Sequence, residues 1–174
     1  GGSVCATSMT TSITQANANR VIIRGTISSA ATATTYNYTL TTSGTSTCTP
    51  TASLGGTITV QGAPTLTLTS AANTDSQVVC NSTDPIASIV YAVGGSATGA
   101  SVVTPTGALV DGLPNGLSGA YNIGTGDFTI SGTPNVTVSV PTVFTYIINT
   151  TGSTGGCDET QITGTVTVEP AQGI

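Results

Sequence analysis

The sequence predicts an all-β protein of sandwich repeats in tandem, stapled by disulfides. Three observations carry that expectation: the composition, an internal repeat and the placement of four cysteines. Thr and Ser make up about a third of the 174 residues, and 22 Gly and 8 Pro punctuate them. Branched Cβ atoms favour extended backbone, and Gly and Pro mark turns. Only 5% of residues are charged, against about 25% in ordinary soluble domains.

The repeat is visible by eye. "RVIIRGTISSAATATTYNYTLTTSGTSTC" (Arg20–Cys48) and "DFTISGTPNVTVSVPTVFTYIINTTGSTGGC" (Asp127–Cys157) share one order of features: apolar strand, Gly-Thr, Thr/Val bridge, aromatic-x-Tyr strand, Gly turn, Cys. They end in "GTITV" (Gly56–Val60) and "GTVTV" (Gly164–Val168), 108 positions apart. A period near 100 residues is the length of an immunoglobulin-like sandwich. The expected division is residues 1–62 as the C-terminal half of one repeat or a compact variant, 63–170 as a complete repeat, and 171–174 as the start of a linker.

Alternation assigns the strands of the complete copy. "TLTLTS" (Thr65–Ser70) puts Leu66 and Leu68 on one face, and "SQVVC" follows, ending at Cys80. "IASIVYAV" (Ile86–Val93) suits a central strand, while "GASVV" and "GALVDGL" are short and bounded by turns. Phe128 and Ile130 share a face, as do Phe144, Tyr146 and Ile148, and then Val166 and Val168, before Pro170 ends the last strand. The expected core is Leu113, Ile130, Phe144, Tyr146 and Val166.

"LPNGLSGAYNIGTGDFTISGTP" (Leu113–Pro134) is the most phrase-like stretch. Pro sets φ and Gly permits positive φ, so "LPNG" and "GTPN" each read as a tight reversal. A phosphate-cradling loop would need a following helix and a Lys, and neither is present. The residues Leu113, Pro114, Gly116, Leu117, Gly126, Ile130, Gly132, Thr133, Pro134, Phe144 and Tyr146 resemble the "LPxGL…GxIxGTP…Y" core of the Ig- and cadherin-like tandem repeats of very large Bacteroidota cell-surface adhesins, including the SprB-type gliding-motility adhesins. The resemblance covers the complete copy and, more weakly, the first half copy. In the first copy "VCATSM" stands where "LPxGL" is expected, and Ile27 replaces the Pro. The fold is a spacer with many uses, so the resemblance implies a surface-fibre repeat rather than a particular ligand.

The available chemistry is narrow. There is no His, Lys or Trp, and two Arg face seven acidic residues for a net charge of −5. That excludes nucleic acid and anionic membrane surfaces as partners, because both require clustered cations. No apolar run approaches the length of a spanning helix, so no membrane insertion is expected. The residues before Thr10 lack a basic start and an apolar core, consistent with a mature protein or a fragment of one. Scattered carboxylates and the lack of His leave no catalytic set, so no enzyme activity and no catalytic residue is expected.

The four cysteines lack C-x-x-C spacing, so disulfides are expected over zinc, in an oxidising, extracellular compartment. Cys80 and Cys157 fall in one repeat and form the expected pair, with Cys5 and Cys48 as the candidate second pair. A bridge closing so long a loop contributes about 4 kcal/mol. Asn81–Asp84 and Cys157–Thr160 are the densest oxygen-bearing segments, yet too sparse for a calcium cage; no metal and no cofactor is expected. Tyr91 and Tyr121 are the candidate exposed aromatics for a sugar platform.

The expected function is a structural stalk or spacer in a long extracellular surface fibre or adhesin. Its expected partners are neighbouring repeats of the same protein and, at the fibre's target, a surface polysaccharide or an abiotic surface. The alternatives are a filament subunit completed by strand addition and a carbohydrate-binding module. The short link between Val60 and Thr65, holding Pro64, implies semi-rigid succession of repeats.

Overall fold

The computed structural model describes residues 2–5, 8–17, 20–28, 33–42, 52–103 and 112–171, with backbone alone for residues 2–20 and 28. Every regular element among them is a β-strand. The chain divides into two compact units, Gly1–Ala63 with Thr154–Cys157, and Pro64–Ser153 with Asp158–Ile174.

The first unit contains β1 (Gly2–Cys5), β2 (Ser8–Asn17), β3 (Arg20–Ser28), β4 (Thr35–Thr41) and β5 (Ser53–Gln61). β2 and β3 form an antiparallel pair running from Ser8↔Ser28 to Asn17↔Arg20. The other three form a sheet in the order β1-β5-β4. β4 is antiparallel to β5, and β1 runs parallel to β5.

The second unit contains β6 (Thr65–Leu68), β7 (Ser76–Cys80), β8 (Ile89–Gly94), β9 (Gly99–Val103), β10 (Leu117–Asn122), β11 (Asp127–Gly132), β12 (Thr142–Thr151) and β13 (Gln161–Glu169). Its two four-stranded sheets have the orders β10-β11-β8-β6 and β7-β13-β12-β9. With the strands lettered in chain order and β7 taken as a detached part of the first, these are D-E-B-A and A′-G-F-C. That is the immunoglobulin-like arrangement, ABED against CFG, with the edge strand β7 parallel to β13.

Alternation explains why two sheets form one core. β12 buries Phe144, Tyr146 and Ile148, β13 buries Val166 and Val168, β8 buries Ile89 and Tyr91, and β11 buries Phe128 and Ile130. The two inner faces interdigitate, as sandwich sheets must to remove their apolar sides from water. Among the expected core residues, Ile130, Tyr146 and Val166 are fully buried and Phe144 nearly so, whereas Leu113 is half-buried at the rim. "GALVDGL" falls largely outside the described residues.

The pairing registers of the two units coincide. Tyr38 faces Gly56 and Leu40 faces Leu54 on β4–β5, as Tyr146 faces Gly164 and Ile148 faces Ile162 on β12–β13. Val4 and Cys5 pair in parallel with Val60 and Gln61, as Val79 and Cys80 pair with Val168 and Glu169. Thus "VC" of "VCATSM" stands in the place of the β7 end rather than in that of "LPxGL". The first unit opens with a strand that a bare C-terminal half would not have. Three residues, Gly62, Ala63 and Pro64, separate β5 from β6.

Candidate functional site

The phrase Leu113–Pro134 is a backbone clasp. Leu117 N donates to Pro114 O at 3.1 Å, closing a turn in which Gly116 has φ +93°. Asn135 N donates to Asn115 O at 2.6 Å, drawing the "GTPN" reversal onto that turn. Gly132, with φ +131°, pairs with Leu117 at the first position of the β10–β11 hairpin. The two glycines stand backbone against backbone: a Cβ on Gly116 would overlap Thr133 O, and one on Gly132 would overlap Gly116 O. Pro114 and Pro134 are fully buried beside them.

The segment after β7 fastens the clasp. Ile86 N donates to Gly132 O (3.0 Å) and Ser82 N to Pro134 O (2.8 Å). Asn81 acts as a strand substitute: its side-chain Nδ2 donates to Val136 O, and Val136 N donates to its Oδ1. Asn81 N also donates to Glu169 O on β13 (3.0 Å). One residue therefore ties the end of the β7-β13 edge to the chain leaving β11, which belongs to the opposite sheet. The amide of Asn81 is committed to structure, so Asn81–Asp84 has lost its best oxygen for a cation. In the other oxygen-bearing segment, Asn149 Nδ2 donates to Glu159 Oε2. Among the described residues no three Cys, Asp or Glu side chains group closely enough to hold a metal.

The tyrosines contradict one expectation. Tyr91 is fully buried, so it cannot serve a sugar platform, and Tyr121 is half-buried. The most exposed aromatics are Tyr36 and Tyr38 of β4, at 40% and 36%. Alternation places Tyr91 inward on β8, opposite Phe128 on β11. Tyr146 Oη lies 3.5 Å from Asp75 O.

Desolvation raises the phenol pKa of both Tyr91 and Tyr146 above the usual 10.0, and the nearby Asp75 charge pushes the same way. The folded state thus retains protons that the unfolded state releases above about pH 10. Stability from these groups is complete below that pH and falls as pH rises, by up to about 1.4 kcal/mol per unit for each tyrosine. Thermal unfolding between pH 8 and pH 11.5 is expected to show a steep loss above pH 10. The loss should flatten in the Tyr91→Phe/Tyr146→Phe variant; an unchanged profile would remove the tyrosines as its cause.

The cysteines depart from the expected pairing. Cys80 is a free, exposed thiol at the end of β7. Cys157 is buried and disulfide-bonded, to a residue other than Cys80. The expected Cys80–Cys157 bridge is therefore not formed. Membership of one repeat does not bring two Cα atoms within the roughly 4.4–6.8 Å a disulfide spans. Cys157 groups with the first unit, and its Sγ lies 3.8 Å from Gly62 O. Cys48 and the side chain of Cys5 lie outside the described residues.

No protein-family model matches the chain, and no curated protein matches it. Among solved structures it is similar to a chimeric titin Z1Z2-Z1Z2 tandem functionalized with a GRGDS exogenous peptide from fibronectin, with 19% identity and a TM-score of 0.36 over 79% of this chain and 64% of that one. It is also similar to the protocadherin GammaB4 extracellular domain, with 13% identity and a TM-score of 0.41 over 92% of this chain and 26% of that one. The chain thus spans less than two thirds of the length of either. Among the described residues no helix is long and apolar enough to cross a membrane.

Proposed function

We propose that the chain is a structural repeat segment, a stalk or spacer, of a long extracellular surface fibre or adhesin. The carrying observation is the coincidence of registers: β1-β5-β4 repeats β7-β13-β12 position for position. With three residues between β5 and β6, copies of such a unit can follow one another closely. The disulfide at Cys157 supports an oxidising compartment, and the resemblance of "LPNGL…GTP" to adhesin repeats supports the SprB-type surface-fibre reading. Neighbouring repeats are the proposed partners, and no cofactor is required. Electron microscopy of the native material is expected to show thin filaments with a regular spacing of one unit. Isolated particles with a deep cleft, or turnover of any substrate, would sink the reading.

A second reading has its own observation. Tyr36 and Tyr38 are 40% and 36% exposed, while their register equivalents Phe144 and Tyr146 are 8% and 0% exposed. Strands from another chain that complete the sandwich over this face would cover them, making the chain a self-assembling filament subunit. The native polypeptide mass separates the two: hundreds of kilodaltons for a repeat segment, 17.0 kDa for a subunit.

A further inference from the structure

The charges of the chain are sorted by unit. Both arginines, Arg20 and Arg24, lie in the first unit, which has no Asp or Glu, whereas all seven Asp and Glu lie in the second, which has no Lys or Arg. We propose that the open edge of β3 is a docking surface for the second unit of another copy, which binds through the edge of its strand β7. The inference rests on the filament-subunit reading above and names the two surfaces that meet.

The receiving edge follows from the repeat. Thr11 pairs with Gly25 on β2–β3 as Leu117 pairs with Gly132 on β10–β11, so β2 and β3 are the counterparts of β10 and β11. Cys5 and Thr11 are six positions apart, whereas Cys80 and Leu117 are 37 apart. The longer stretch holds β8 and β9, and the first unit passes from β1 to β2 without them. β11 lies between β10 and β8, while among the described residues β3 pairs with β2 alone. Nine residues long and free of Pro, β3 offers a row of backbone donors and acceptors to a further strand.

Charge selects the occupant. Arg24 is exposed, so a second β3 would set like charges against each other, and an anionic edge is favoured instead. The edge strands of the second unit are β6, β7, β9 and β10. The last residue of β7, Cys80, faces Glu169 on β13. Glu169 shares the outer face with Cys80 and Val78, because Val166 and Val168 point into the core. Asp84, exposed, follows four positions after Cys80. Val78, at the middle of the strand, is 65% exposed. β10 also ends beside a carboxylate, Asp127, but within it no large apolar side chain is exposed. At the other end of β7, the Asp75 charge acts on the buried Tyr146 and Tyr91, so the accessible charge lies at the Cys80 end. A parallel register with Ile22 beside Val78 sets Arg24 beside Cys80, in line with Glu169. Two strand spacings then separate Arg24 from Glu169, about 10 Å between Cα atoms, which the two long side chains span. The contact is heterologous, so every copy keeps one surface of each kind for the next.

The test is sedimentation of the 174-residue chain over a range of concentrations, in about 0.05 M and about 1 M sodium chloride. Association is expected to grow with concentration and to weaken in the higher salt, which screens exposed charges. Arg24→Glu and Glu169→Arg should each weaken it about tenfold or more, since like charges then meet. An equimolar mixture of the two variants should regain association, because each reversed residue finds its complement on the other chain. The chain carrying both reversals should regain it as well. Recovery in the mixture reports the contact rather than the fold, since a variant that failed to fold would not be restored by another. Three results would overturn the proposal: a chain that is monomeric at every concentration, reversals that leave association unchanged, or recovery in the doubly reversed chain without recovery in the mixture, which marks a contact within one chain. Native filaments of 17.0 kDa subunits whose assembly ignores both reversals would reject this contact yet leave the filament-subunit reading. Association restored by the mixture, in a chain whose native polypeptide is many times larger, would support the contact and reject that reading.

Discussion

Gly132→Ala and Gly116→Ala are each expected to destabilise the second unit by about 4 kcal/mol, lowering its melting temperature by roughly 20 °C. Two costs combine. Both residues have φ in the left-handed half of the map, +131° and +93°, where an L side chain adds about 1–3 kcal/mol of strain. Each new Cβ would also overlap a carbonyl oxygen of the facing turn, which cannot rotate aside as a side chain can. Relief requires parting the backbones, and that stretches Asn135 N–Asn115 O and Ile86 N–Gly132 O together. Against a total stability of about 5–15 kcal/mol, such a loss leaves the unit marginal. Gly124→Ala is the control: its Cβ would meet only Asn122 Oδ1, at 3.2 Å, in an exposed turn. Calorimetry on the three variants decides the point, and a fall below 5 °C for Gly132→Ala would mean that the clasp opens without cost.

The second large effect separates two equivalent positions. Gly164→Ala is expected to cost about 3 kcal/mol and Gly56→Ala less than about 1 kcal/mol. In both units a tyrosine lies across the strand over a glycine, an aromatic filling the space a missing side chain leaves. A Cβ on Gly164 would overlap the phenol of Tyr146 and reach 2.8 Å from Asp75 O. Tyr146 is fully buried between sheets, so displacing it disturbs Tyr91 and Phe144 and overpacks the core. The three atoms nearest to a Cβ on Gly56 all belong to the phenol of Tyr38, which is 36% exposed and can swing outward. Chemical denaturation of the two variants should therefore show different midpoints despite the same local geometry. Equal losses would mean that Tyr38 is as confined as Tyr146.

Much of this could be read from the chain itself because strand period is a local property. Phe128 and Ile130, or Phe144, Tyr146 and Ile148, share a face whatever surrounds them, since alternate Cβ atoms point the same way. The 108-position repeat and the turn chemistry of "LPNG" and "GTPN" were equally legible, being patterns of residue type. Three matters depended on the tertiary structure. Which strand lies beside which decided that Val4-Cys5 is the counterpart of Val79-Cys80, because a four-residue strand such as β1 carries too little pattern to reveal a parallel neighbour 56 residues away. Which faces are covered decided that Tyr91 is buried while Tyr36 and Tyr38 are exposed, since alternation sorts faces without saying what lies above them. And the cysteines paired by distance rather than by repeat membership: a disulfide reports where Cα atoms meet in space, and sequence separation does not determine that.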